Sequence, residues 1–275
     1  MRLRFLLALL PTLLAAAPAL EVVRPIISQS DGGPPDPQGF THVAGETLFF
    51  TCRVAGFTKS PEEKIHLSYT VDAFDPQGIR LIDTVKNEIA DEVTPQDKDW
   101  QPKIEIELPT PPLGPTGTYK IVVKVEDLMA KTSAELSAPF QIRGHNIQPS
   151  DTIVVRNFQW FRGEDDTQPL EKGVYHPGDA VWAKFDIIGY KIGEKNQVNV
   201  SYVTSLISPE GKVMWTQPEP AVDQDASFYP KRYVTATMGI NLLKDTKPGD
   251  YFIGVLVKDG IGNTTAQAKF PFTLQ

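Results

Sequence analysis

The chain repeats itself. A shift of 133 residues pairs Gly45 with Gly178, Gly56 with Gly189, Ser68-Tyr69 with Ser201-Tyr202, Pro76 with Pro209 and Gly78 with Gly211, without a gap. After one deletion, a shift of 132 pairs Gly117 and Tyr119 with Gly249 and Tyr251. It also pairs Ile121, Val123 and Val125 with Ile253, Val255 and Val257, then Asp127 with Asp259 and Pro139-Phe140 with Pro271-Phe272. Near the starts, Val22-Val23-Arg24 is matched with Val154-Val155-Arg156. A register held this long and recovered after one deletion does not arise by chance, so the chain reads as two copies of one domain. The expected bounds are residues 20–143 and 151–275, joined by a linker at 144–150.

Within each copy the hydrophobic period is two, the period of a half-buried strand. Leu48, Phe50, Cys52 and Val54 alternate with more polar neighbours, and Val181, Ala183, Phe185 and Ile187 take the same positions in the second copy. Ile65, Leu67, Tyr69 and Val71 form a further strand, matched by Val198, Val200 and Tyr202. Turn signals separate the runs: Asp75-Pro-Gln-Gly78, Ser208-Pro-Glu-Gly211 and Lys258-Asp-Gly-Ile-Gly-Asn263. No 12-residue window has helical spacing. About seven short antiparallel strands per copy predict an all-β chain of two tandem β-sandwiches.

Residues 1–19 read as a signal peptide. Arg2 and Arg4 form a positive start, an apolar Leu/Ala run follows, and Ala17-Pro-Ala19 offers small residues for cleavage. The run is shorter than the ~20 residues of a spanning helix. The mature chain is therefore expected to be exported, to the periplasm or the outside, without membrane insertion. Its charge falls from −7 to −9 when the two leader arginines are lost, which disfavours nucleic acid as a partner. Hydrophobic content of 41% and a mean hydropathy of −0.22 fit a globular protein. One cysteine rules out a disulfide framework.

Gly117-x-Tyr119-x-Ile121-x-Val123, and Tyr251-x-Ile253-x-Val255 after Gly249, resemble the tyrosine-corner strand of immunoglobulin-like domains. Tyr175-His-Pro-Gly-Asp-x-Val181, Pro209-x-Gly211 and Lys247-Pro-Gly-Asp-Tyr251 are similar to macroglobulin-type and fibronectin-III-like sandwiches. Cys52 stands where an immunoglobulin domain has its first bridging cysteine, with Ile121 at the second position. Phe185 and Ile253 fill both positions in the other copy. The resemblance implies a hydrophobic core pin and a scaffold; no Cys-Gly-Glu-Gln thioester run is present.

Motifs for chemistry are sparse. No histidine has a second one at metal-ligand spacing; His42 and His176 take near-equivalent places before matching strands and read as solvated loop residues. There is no Gly-x-Ser-x-Gly elbow. The loop carboxylates Asp31, Asp36, Glu164-Asp165-Asp166, Asp223 and Asp225 suit a calcium ion or glycoside hydrolysis only if they converge. Trp160, Phe161 and Trp215 suit sugar stacking only if they are exposed in a row. Cys52 points inward and reads as an inert core thiol.

The two copies differ most on one outer face. Where the first copy has His66, Ser68, Thr70, Lys120 and Lys124, the second has Asn199, Ser201, Val203, Phe252 and Leu256. Trp182 also points outward from its strand, as does its counterpart Phe49. Val203, Phe252, Leu256 and Trp182 are thus the candidate binding residues, with no catalytic group, metal or cofactor assigned. The chain reads as a non-catalytic exported binding or envelope scaffold protein, with a protein or cell-envelope component as partner. The alternative is a carbohydrate-active enzyme or carbohydrate-binding module using the loop carboxylates or exposed aromatics.

Overall fold

The computed structural model describes residues 19–97, 99–145 and 147–275; the leader expected over residues 1–19 lies outside them apart from Ala19. The described residues contain no α-helix. Among the described residues seventeen strands form four sheets. In the first half, β1 (Glu21–Ser28), β3 (Thr47–Ala55) and β6 (Lys103–Pro109) make a three-stranded sheet in the order β1-β3-β6. The strands β2 (Thr41–Val43), β4 (Lys64–Phe74), β5 (Val85–Glu92), β7 (Gly117–Asp127) and β8 (Thr132–Arg143) make a second sheet, ordered β2-β8-β7-β4-β5.

The second half follows the same plan. Strands β9 (Val154–Phe161), β11 (Ala180–Ile188) and β15 (Tyr233–Asn241) pair in the order β9-β11-β15. The larger sheet orders β10 (Val174–Tyr175), β17 (Thr264–Leu274), β16 (Gly249–Asp259), β12 (Gln197–Ile207) and β13 (Val213–Thr216), with β14 (Ala221–Ala226) also on β12. The pairs β1–β3, β3–β6, β4–β5, β4–β7, β9–β11, β11–β15, β16–β17 and those of β12 with β13, β14 and β16 are antiparallel, whereas β10 runs parallel to β17. The chain divides into two compact units. Of the described residues, one holds 19–41, Thr47–Thr110 and Thr118–Gln141, the other His42–Glu46, Pro111–Gly117 and Ile142–Gln275.

The period-two runs are the cores. Leu48, Phe50, Cys52 and Val54 are buried, as are Val181, Ala183, Phe185 and Ile187. In the second unit these pack with Val198, Val200, Tyr251, Ile253, Val255 and Val257 from the facing sheet. Burial pushes the Cys52 thiol up to about 12, which keeps it protonated and inert.

Matched glycines take matched backbone conformations: φ is +70° at Gly56 and +75° at Gly189, +81° at Gly78 and +84° at Gly211. At Gly56 a Cβ would lie 2.1 Å from the Ala19 carbonyl oxygen, and at Gly189 2.0 Å from that of Thr152. Both positions need glycine twice over, for conformation and for space.

Two readings of the sequence change. Ladder register puts Val22 opposite Val54 and Val155 opposite Ile187, so the first strands match at a shift of 133, one residue from the expected pairing. A bulge after Val23 and another before Gln159 make those strands irregular, with φ of +54° at Arg24 and +49° at Asn157. His42 is not a solvated loop residue: it is 2% exposed on β2, where its counterpart at that shift is the buried Tyr175 of β10. His176 is the solvated one.

Candidate functional site

The larger sheet of the second unit turns its inner face to the core and its outer face away from it. Along β12 and β16 the outer residues pair directly: Val203 with Leu256, Ser205 with Gly254, and Ile207 with Phe252. The same ladder continues into β17, where Leu256 meets Gln267, Gly254 meets Lys269 and Phe252 meets Pro271. On the other side Ser205 meets Thr216 and Ile207 meets Val213 of β13. Three rows result, crossing the strands. Two are apolar ridges, and the row between them is built from Thr216, Ser205, Gly254 and Lys269.

Because Gly254 has no side chain and Ser205 a short one, the middle row is a groove of about 360 Å³. A Cβ on Gly254 would stand 2.6 Å from Ser205 Oγ and 3.1 Å from Ile207 Cδ1, so glycine is what keeps it open. Leu256 on one ridge is 42% exposed, and Val213 beyond the other is 54% exposed. Met214, Trp215 and Val222 on the adjacent edge strands are exposed too. Leaving such side chains in water forgoes roughly 1.5–3 kcal/mol each relative to full burial.

The equivalent face of the first unit is closed and polar. There the direct pairs are Thr70 with Lys124, Asp72 with Val122, and Phe74 with Lys120. Val122, which is buried, stands where Gly254 opens the groove. Asp72 accepts from Thr84 Oγ1 at 2.7 Å and pairs with Arg80 at 3.1 Å. Lys124 pairs with Glu135 at 3.3 Å, and the Lys120 and Arg80 cations lie over the Phe74 ring at 5.6 and 5.8 Å. One backbone framework thus carries a self-satisfied charged surface in one unit and an apolar, grooved surface in the other.

Of the four residues picked from the sequence, three share this face. Trp182 does not: it lies on β11 in the opposite sheet, where its ring covers Gly239 so closely that a Cβ there would be 2.7 Å away. Gly254, Ser205 and Val213 were missed. Gly254 aligns with Val122 at the shift of 132, but only its pairing with Ser205 shows what that exchange does.

The aromatic platform does not assemble. Trp160 packs among Phe158, Tyr175 and Phe272, with ring centroids at 4.8, 6.2 and 5.5 Å. Phe161 is buried beneath Lys184 Nζ, and only Trp215 of the three is exposed. Asp223 and Asp225 lie on β14 rather than in a loop, paired with Val200 and Val198 of β12. Asp223 takes both oxygens to Lys231 Nζ at 2.8 and 2.6 Å, and Asp166 accepts from the Gly163 amide. No group of three or more His, Cys, Asp or Glu among the described residues is placed to hold a metal ion.

A buried acid sits on the opposite sheet. Asp186, 3% exposed, accepts from His145 Nε2 at 2.7 Å, Asn157 Nδ2 at 2.8 Å and Thr235 Oγ1 at 3.1 Å. The His145 ring also packs on Tyr233, 5.3 Å between centroids. With His145 and Asn157 on Oδ2 and Thr235 on Oδ1, Asp186 ties the start of the second unit to β9 and β15. No helix among the described residues is long and apolar enough to cross a membrane.

No protein-family model and no curated protein matches the chain. Among solved structures it is similar to Escherichia coli alpha-2-macroglobulin activated by porcine elastase, at 9% identity and a TM-score of 0.29 over 95% of this chain and 22% of that one. It is similar at the same identity and score to a Salmonella alpha-2-macroglobulin mutant, over 85% of this chain and 16% of that one. The native conformation of the E. coli protein matches likewise, over 94% and 17%. The chain thus spans no more than about a fifth of the length of these proteins. At that score the likeness assigns no activity.

Proposed function

We propose that this chain is an exported, non-catalytic binding or scaffold protein, built of two tandem immunoglobulin-like sandwiches derived by duplication, with a protein or cell-envelope component as partner. Its contact surface is the outer face of β12 and β16 in the second copy. One observation carries this reading: equivalent cross-strand pairs are charged and filled in the first unit but apolar and grooved in the second. Duplicated frameworks start with equal surfaces, so an apolar replacement that remains exposed points to a contact rather than to folding. The leader sequence supports export, and the matching strand orders and glycine conformations support duplication.

The test uses the tagged exported protein and an envelope extract, with Phe252→Lys and Leu256→Lys combined to restore the first copy's residues. Unchanged melting with loss of the recovered partner supports the reading. Lost stability would show that the face packs against the chain itself, and full retention of both stability and partner would make it incidental. The purified protein should begin at or near Leu20; an intact Met1 would remove the export part.

A further inference from the structure

We infer that the free edge of β15 takes up an extended, basic segment of another polypeptide as an added strand, at a site separate from the outer face of β12 and β16. β15 ends its three-stranded sheet and pairs only with β11 among the described residues. Just past the strand the Leu242 amide donates to the Asp179 carbonyl at 2.9 Å, in step with the pairing of Asn241 with Ala180. Bonded residues alternate along an antiparallel ladder. The even-numbered residues of β15 therefore turn their N–H and C=O groups to β11, and Tyr233, Thr235, Thr237, Gly239 and Asn241 turn theirs to the open edge. In agreement, the Thr237 carbonyl accepts at 3.0 Å from the Tyr202 hydroxyl of the facing sheet. An extended chain is the partner whose alternating donors and acceptors match such an edge.

The first unit guards the same edge. β6 also ends its three-stranded sheet, and ladder register matches Lys103, Glu105, Glu107 and Pro109 with Thr235, Thr237, Gly239 and Asn241, at the shift of 132. Lys103 pairs with Glu105, and Pro109 has no N–H to offer. Charges and proline are the devices that keep a sheet edge from pairing with another chain. In β15 an uncharged residue other than proline replaces each of them, along a strand of 9 residues whose register with β11 is unbroken. The Trp182 ring lies over Gly239. A side chain of the added strand set opposite Gly239 on that face would meet the indole.

Charge selects the kind of segment. Asp223 and Asp225 stand opposite the buried Val200 and Val198, which puts both carboxylates on the core side of β14. With Tyr202, Lys231 and Thr235 they line a slot of about 440 Å³ beside β15. Lys231 Nζ is held by Asp223 at 2.6 and 2.8 Å, whereas the exposed Asp225 makes no ion pair among the described residues. Alternate side chains of a strand added to β15 point toward this slot, where a lysine or arginine finds an unneutralised carboxylate. A second copy of the chain suits the site less. Joining β15 to β15 would set two β14 strands, each with Asp223 and Asp225, along one seam, and like charges there repel. The net charge of −7 favours a basic segment in the same sense.

The test titrates the exported chain with a labelled peptide in which lysines alternate with valine and threonine, and follows amide hydrogen exchange. Two further peptides serve as comparisons, one with glutamate for lysine and one with every backbone nitrogen methylated. The lysine peptide should bind with a Kd on the order of 100 µM. Both comparison peptides should bind at least tenfold more weakly, and exchange should slow at Thr235, Thr237 and Gly239. Asn241→Pro, which copies Pro109, and Asp225→Asn should each weaken the lysine peptide at least threefold. The Phe252→Lys, Leu256→Lys double variant should leave it unchanged. No saturable binding, or equal binding of the methylated peptide, would overturn the inference. Protection away from β15, or loss of binding in that double variant, would overturn it too while leaving the contact reading of the other face standing. A wild-type dimer with protected β15 amides would make the occupant a second copy and equally overturn it. If Asn241→Pro lowers the melting temperature, Asp225→Asn and the exchange pattern decide the matter.

Discussion

Asp127 and Asp259 hold the same loop in the two units by the same bonds. Asp127 accepts from the amides of Thr58, Met129 and Ala130 at 2.7, 2.9 and 3.0 Å; Asp259 accepts from those of Lys191, Ile261 and Gly262 at 2.8, 2.9 and 2.9 Å. Each buried carboxylate closes its own hairpin turn and ties it to the loop after the neighbouring glycine bend.

Asp127→Asn should therefore destabilise the first unit by about 2–3 kcal/mol, because one amide donor group replaces an acceptor facing three N–H groups. Burial alone would push the Asp127 carboxyl up, yet the amides of Ala130, Thr58 and Met129 outweigh it and hold the group below its ordinary value. A depressed carboxyl contributes stability in full above the unfolded value near ~3.9 and loses it as pH falls through the lower folded value. Denaturant melts of wild type and Asp127→Asn should thus differ most near neutrality and converge in acid. A gap that widens on acidification would refute the assignment.

Tyr251 donates its hydroxyl to the Lys247 carbonyl at 2.8 Å, four residues upstream, while its ring stacks on Phe272 at 5.8 Å. Tyr251→Phe keeps the ring and loses the bond. A cost of about 1 kcal/mol by urea denaturation is expected. A neutral result would mean that solvent replaces the bond without penalty.

The glycines sort by what surrounds them. Gly211 needs φ of +84° but has nothing within 4 Å of an added Cβ, so Gly211→Ala should cost about 1 kcal/mol. Gly189→Ala adds a clash with the Thr152 carbonyl to a similar backbone strain and should cost more than about 2 kcal/mol. Gly56→Ala should follow Gly189→Ala. Thermal melts of the three variants give the order directly.

Asp186→Ala strips the acceptor from Asn157, Thr235 and His145 together and should cost about 2 kcal/mol or more. His145→Ala removes one half-exposed partner and should cost less than about 1 kcal/mol. Equal losses would show that His145, rather than the buried acid, fixes this corner.

The parts of the fold that could be read from residues were those set by period and by turn chemistry. Leu48 to Val54 and Val181 to Ile187 alternate cleanly because each strand has one core face, and Gly78 and Gly211 mark turns that few other residues can make. The first strand of each copy was misaligned by one residue because bulges at Arg24 and Asn157 break the alternation that would have fixed it. His42 was misjudged because β2 is three residues long, too short to show a period. Phe252 and Leu256 were visible as departures from the lysines of the other copy. The groove was not, since it depends on an absent side chain at Gly254 that only the cross-strand pairing with Ser205 makes meaningful.

In both units the strand made last is an interior one. β8 lies between β2 and β7, and β17 lies between β10 and β16, so β2 and β10 have nothing to pair with until those final segments emerge. Neither sheet can be completed during most of its own synthesis. A nascent chain of this kind stays open until each unit is nearly finished. The first unit can then close while the second is still being made, so the two folding events are separated in time by the order of translation.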